Sequence, residues 1–132
     1  MLVKWPLVSV VDDDESVRES LPDLLSELGY SVRVFSSAEE FLSSDCVDET
    51  SCLLLDIVMP GMTGPDLQEE LRIRGQEIPV ILITAQAEET ICLRSLEQGA
   101  VACLLKPFSD TALVEALSTA FRVRERSDAK GM

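Results

Sequence analysis

Short continuous apolar runs alternate along this chain with longer stretches whose apolar residues recur at helical spacing. Residues 7–11, 31–35, 52–56, 78–84 and 100–105 read as strands, too short for surface helices. Between them the period changes. Val17, Leu21, Leu24, Leu25 and Leu28 share one face of a helix over 16–28, with Asp14 placed to cap its start and Gly29 its end. Pro22 lies inside that helix. It cannot donate to the carbonyl of Arg18, so local distortion is expected there. Ser37 is placed to cap a second helix carrying Phe41 and Leu42, and Glu39 and Glu40 suit the positive end of its dipole. Residues 45–50 read as a polar loop. Gly64-Pro65 opens a third helix through Leu67 and Leu71 to about Arg74. A fourth is expected over 88–97, stopped by Gly99. A fifth runs from Asp110 to about Arg124, with Leu113, Leu117, Ala120 and Phe121 inward.

Apolar strands alternating with amphipathic helices imply a parallel sheet covered on both faces. Right-handed crossovers make it a doubly wound α/β domain. Residues 1–124 form that domain. Residues 125–132, a polar stretch near Arg122, Arg124, Arg126 and Lys130, are expected to be a tail or the start of an inter-domain linker, which favours a truncated larger protein.

At 132 residues the chain suits one domain with its own core. Its 24 acidic and 11 basic residues leave a net charge of −13, which argues against nucleic-acid or anionic-membrane binding by this chain itself. The chain has 0 histidines, which removes imidazole acid–base chemistry and ligation. The 4 cysteines, Cys46, Cys52, Cys92 and Cys103, form no CxxC pair; Cys52 and Cys103 lie in apolar runs, where cysteine packs as a small hydrophobe. Reduced thiols, and so a cytoplasmic location, are expected. The start, Met1 to Pro6, lacks the apolar core of a signal peptide, and no run is long enough to span a membrane.

The candidate chemistry lies where strands end. Asp12 and Asp13 follow the first run, Asp56 ends the third, Thr84 the fourth, and Lys106 follows the fifth. In doubly wound sheets the carboxyl ends of the strands form the ligand edge. A carboxylate beside a core costs several kcal/mol unless compensated, and a divalent cation is the simplest compensation. Asp14 and Glu15 are read as helix capping and first-turn charge, outside the site.

Four segments in order carry a family resemblance: Val10-Val11-Asp12-Asp13; Leu55-Asp56 through Met59-Pro60-Gly61-Met62-Thr63-Gly64; Ile83-Thr84-Ala85; and Lys106-Pro107-Phe108. Over residues 7 to about 124 the sequence resembles the receiver domain of two-component response regulators. Ser16-Val17-Arg18, Phe35-Ser36-Ser37-Ala38-Glu39 and the stretch from Met59 through Asp66-Leu67-Gln68 are most similar to the nitrogen-fixation and aromatic-degradation subgroup, whose members usually carry a C-terminal helix-turn-helix domain absent from this chain.

The resemblance implies a flavodoxin-like sheet of order 2-1-3-4-5 with five helices. It implies that Asp56 is a phosphoacceptor served by a sensor histidine kinase. Mg²⁺ would be bound by Asp13, Asp56 and the backbone carbonyl of Val58, with Asp12 acting through water. Lys106, aimed by a cis bond to Pro107, would reach Asp56 and then the phosphoryl oxygens. Thr84 would bind a phosphoryl oxygen, and Ala85 would leave it room. The expected output is a shift of the fourth helix, fifth strand and fifth helix, dimerisation on those elements, and control of transcription through DNA binding by the missing domain. In one departure Cys103 occupies a position that many receivers fill with Tyr or Phe, so the aromatic part of the usual switch is in doubt. Two other readings stay open: a stand-alone receiver acting through protein partners or phosphorelay, and a haloacid-dehalogenase-type phosphatase. The second is disfavoured because it needs an acid where Val58 stands and has no use for Asp12-Asp13.

Overall fold

The computed structural model describes residues 5–84 and 89–130. Five strands, β1 (Leu7–Val11), β2 (Ser31–Phe35), β3 (Thr50–Asp56), β4 (Val80–Thr84) and β5 (Ala102–Leu105), form one sheet in the order β2-β1-β3-β4-β5. Every pairing is parallel. The helices are α1 (Glu15–Glu27), α2 (Ala38–Ser43), α3 (Gly64–Ile73), α4 (Glu89–Glu97) and α5 (Asp110–Lys130).

β3 lies at the centre and is buried at every position. Alternate residues along it feed two cores. Leu53 and Leu55 pack with Ala38 and Phe41 of α2 and Leu67 and Leu71 of α3, and Ile91 and Cys92 of α4 lie against that cluster. Cys52 and Leu54 pack with Leu21 and Leu25 of α1 and Leu113, Leu117 and Ala120 of α5. The helices therefore cover the sheet as a doubly wound domain requires.

Local chemistry sets the helix ends. The Asp14 side chain accepts the amide of Ser16 at 2.9 Å, and that of Ser37 accepts the amide of Glu40 at 3.0 Å. Gly29 follows α1 with φ +98°, a conformation that glycine adopts without steric cost. The helix α1 runs unbroken past Pro22. The lost hydrogen bond to Arg18 is offset by burial of Leu21 and Leu25 on either side.

The chain departs from the sequence expectations in four places. The polar loop at 45–50 contains a 3₁₀ turn, Val47–Glu49, because Cys46 and Val47 are buried and draw it onto the core. β3 then begins at Thr50, whose hydroxyl donates to the carbonyl of Cys46 at 2.7 Å and so receives a bond from Ser9, 2.7 Å away. β4 and β5 start two residues later than expected, at Val80 and Ala102. α5 continues past Arg124 to Lys130. The expected start of the fourth helix at Glu88 lies outside the described residues.

Leu54→Ala would empty a fully buried position on the central strand. It should cost about 3 kcal/mol, read as a lower urea midpoint with unchanged slope.

Candidate functional site

The parallel order brings the carboxyl ends of β1, β3 and β4 side by side. Val11 pairs with Leu55, so Asp12 and Asp56 end neighbouring strands one step later. Asp56 pairs with Ile83, which places Thr84 one residue beyond it on the next strand. Asp12, Asp13 and Asp56 each offer a carboxylate oxygen within 4.8 Å of the others. Asp12 is wholly buried, Asp56 nearly so, and Asp13 is exposed.

Lys106 supplies the positive charge. Its Nζ lies 2.7 Å from Asp12 Oδ2 and 3.8 Å from Asp56 Oδ2. The resemblance directs this lysine at Asp56; in the structure its near partner is Asp12, and Asp56 is second. Burial explains the preference, since the carboxylate with no exposed surface has the greater need of a counter-charge. Lys106 is placed by its own backbone, whose amide donates to the Thr84 carbonyl at 2.6 Å, and the Lys106–Pro107 peptide is cis.

The charges shift one another. Burial pushes the Asp56 carboxyl up to about 7, aided by the hydrogen bond and repulsion from Asp12, while Lys106 acts the other way. Burial works against the Lys106 ammonium, but Asp12, Asp56 and Asp14 outweigh it and hold its pKa above the ordinary lysine value. A crowded carboxylate beside one solvent-facing acid gives an all-oxygen donor set. That set fits a hard divalent cation and offers nothing to a soft one.

Further contacts support the site residues. Arg18 Nη1 donates to the Asp12 carbonyl at 2.8 Å, tying α1 to the acidic turn. The Asp14 amide donates to Asp12 Oδ1 at 2.9 Å, so this residue contributes a backbone group to the site as well as capping α1. The loop after Asp56 is held where it enters α3. Thr63 and Asp66 form a reciprocal capping box at the start of α3, a pairing visible in the T-x-x-D spacing. The Met62 amide donates to Glu39 Oε2 of α2 at 3.2 Å.

Gly64 is required by the same packing. Its amide donates to the Ile57 carbonyl at 3.0 Å. A Cβ there would run into the Asp56 carbonyl oxygen and come within 3.0 Å of Ile57 Cα. Val58, in this loop, has an exposed side chain. Ala85 lies outside the described residues.

Fold and site together define a doubly wound α/β domain with a cation-compatible carboxylate cluster and a lysine at one sheet edge. Comparison with known proteins narrows the class. The pattern of the response regulator receiver domain matches residues 8–118. Nodulation protein W of Bradyrhizobium diazoefficiens is 42% identical over 125 residues, covering 94% of this chain and 55% of that protein. The transcriptional regulatory protein FixJ of Azorhizobium caulinodans is 37% identical over 110 residues, covering 83% and 52%. The solved structure of the response regulator StyR matches with a TM-score of 0.87 and 40% identity, covering 97% of this chain and 65% of that one. The chain belongs to the response regulator receiver domain family of two-component signalling. It spans about half the length of the curated relatives it matches. Receiver domains of this family partner with histidine kinases.

Two substitutions test the site's construction. Gly64→Ala should cost about 1–3 kcal/mol, with the largest backbone NMR shift changes at Asp56 and Ile57. Lys106→Met should cost about 3 kcal/mol by leaving Asp12 without its counter-charge, read as a drop in urea midpoint.

Proposed function

We propose that this domain is a phosphorylation-controlled switch in which Asp56 accepts a phosphoryl group from phosphohistidine on a sensor kinase. The observation that carries this reading is the grouping of Asp12, Asp13 and Asp56 around one lysine, 2.7 Å from Asp12 and 3.8 Å from Asp56. In the transfer an Asp56 carboxylate oxygen bonds to phosphorus as the bond from phosphorus to the histidine nitrogen breaks, and the imidazole leaves. Such transfer depends on positioning and charge stabilisation more than on covalent assistance.

In this reading Asp13, Asp56 and the Val58 carbonyl hold Mg²⁺, with Asp12 contributing through water. The ion supplies neutralisation of the repulsion between carboxylate and phosphate. Lys106 can turn from the carboxylates toward the phosphoryl oxygens, since a lysine is a mobile point charge on a flexible stem. Thr84 donates its hydroxyl to the phosphoryl group.

The output is a change of population on α4, β5 and α5. Leu93 and Leu96 of α4, Leu105 of the edge strand β5 and Val114 of α5 are exposed, and they support a homodimer formed on this face after phosphorylation. Cys103 is too small to act as an aromatic switch, so the signal travels by movement of α4. DNA binding is assigned to a further domain outside this chain. A cytoplasmic location belongs to the same proposal; no helix among the described residues is long and apolar enough to cross a membrane. The phosphatase reading is disfavoured by Val58, which stands where that chemistry needs a second acid.

Incubation with acetyl phosphate and Mg²⁺ should add one phosphate by intact mass, and Asp56→Asn should abolish the gain; labelling that persists in the mutant overturns the assignment. Mg²⁺ should raise the melting temperature of the native chain through selective binding to the folded state, and Asp13→Asn should remove most of that rise, as followed by calorimetry.

A further inference from the structure

We propose that Cys92 and Cys103 form a reversible thiol–disulfide clamp that fixes α4 to the edge of the sheet. The two residues are joined in the structure, with Cα atoms 6.0 Å apart, inside the range that a disulfide spans. Both are partly exposed and open to exchange with solvent thiols, whereas Cys46 and Cys52 are buried and take no part in the disulfide. The expectation of reduced thiols, with Cys103 packed as a small hydrophobe, is corrected here. Residues 92 and 103 lie on elements that meet only in the fold.

The position of the pair gives it leverage. α4 has 9 residues, too few for a helix to persist without tertiary packing. Among its described side chains only Ser95 is buried. Ile91 packs on the core, and Gln68 of α3 donates to the Ser95 carbonyl at 3.1 Å. The disulfide is the one covalent anchor added to these. At its other end Cys103 pairs with Leu82 on β4, two residues before Thr84, and precedes Lys106 by three. The clamp therefore links the helix to the strand that delivers the site lysine.

Closure removes two electrons and two protons from the two thiols. A low-molecular-weight disulfide of the oxidised glutathione class accepts them. One cysteine thiolate attacks it and expels a thiolate. The second cysteine attacks the resulting mixed disulfide at the protein sulfur and expels the other. Two small thiols are released per clamp, and excess thiol reverses the exchange. In a compartment rich in thiols such a bond is transient and suits redox sensing. That it acts on signalling rests on the Asp56 reading.

The full chain should be equilibrated in glutathione buffers of graded potential, alkylated under denaturing conditions and weighed intact. The oxidised form should take up two alkyl groups, mapped to Cys46 and Cys52, and the reduced form four. Cys92→Ser and Cys103→Ser should each abolish the transition. Hydrogen exchange of the α4 amides should speed up at least tenfold on reduction, with α3 unchanged. Four alkyl groups at every potential, or α4 exchange that differs less than twofold between the two forms, overturns the clamp. Beryllofluoride with Mg²⁺ should then perturb α4 in the reduced form at least fivefold more than in the oxidised form; equal perturbation overturns its regulatory role. If beryllofluoride alters neither form, the Asp56 reading fails, while alkylation and exchange still decide whether the clamp exists.

Discussion

Carboxylates buried at the ends of parallel strands impose the constraint on which this domain is built. A parallel sheet with helices on both faces leaves its strand ends as the place where polar groups can gather. Here that place receives Asp12 with no exposed surface and Asp56 with little. Burial, with the hydrogen bond and repulsion from Asp12, raises the affinity of Asp56 for a proton, and Lys106 opposes it. The remaining supports secure the same few atoms: Arg18 on the Asp12 carbonyl, the Asp14 amide on its side chain, and Gly64 packed against the backbone of Asp56. The cluster is crowded with negative charge, an arrangement that a divalent cation would relieve.

Most of the architecture was legible because the period of the hydrophobic pattern changes cleanly. The third run is apolar from Cys52 through Leu55 and then ends in charge, and Leu21 and Leu25 mark one face of α1. Caps at Asp14 and Ser37 could be read because each is a short-range bond between neighbours in sequence. The strand order came from family resemblance; periodicity alone does not specify which strands lie side by side. The site residues were recognisable for a related reason, since each stands at the end of an apolar run.

What escaped the sequence is what depends on distance through space. The choice of Asp12 over Asp56 as the near partner of Lys106 follows from relative burial, which a linear pattern does not encode. The Cys92–Cys103 bond joins elements that become neighbours only when β5 pairs with β4. Glu39 reaching the Met62 amide crosses 23 positions of chain. The extent of α5 beyond Arg124 was missed because its apolar face stops before the helix does.

Seen mechanically, Lys106 is a tie-beam. β5 is the sheet's last strand, four residues long, and pairs on one side only. Just beyond its end the Lys106 ammonium reaches across β4 and β3 to an acid at the end of β1, three places away in the sheet. Strands are spaced about 4.8 Å apart, so the ion pair spans a width that no ladder hydrogen bond covers. The resistance of the outer strand to peeling therefore draws partly on the opposite half of the sheet, through the charge that Asp12 presents to it.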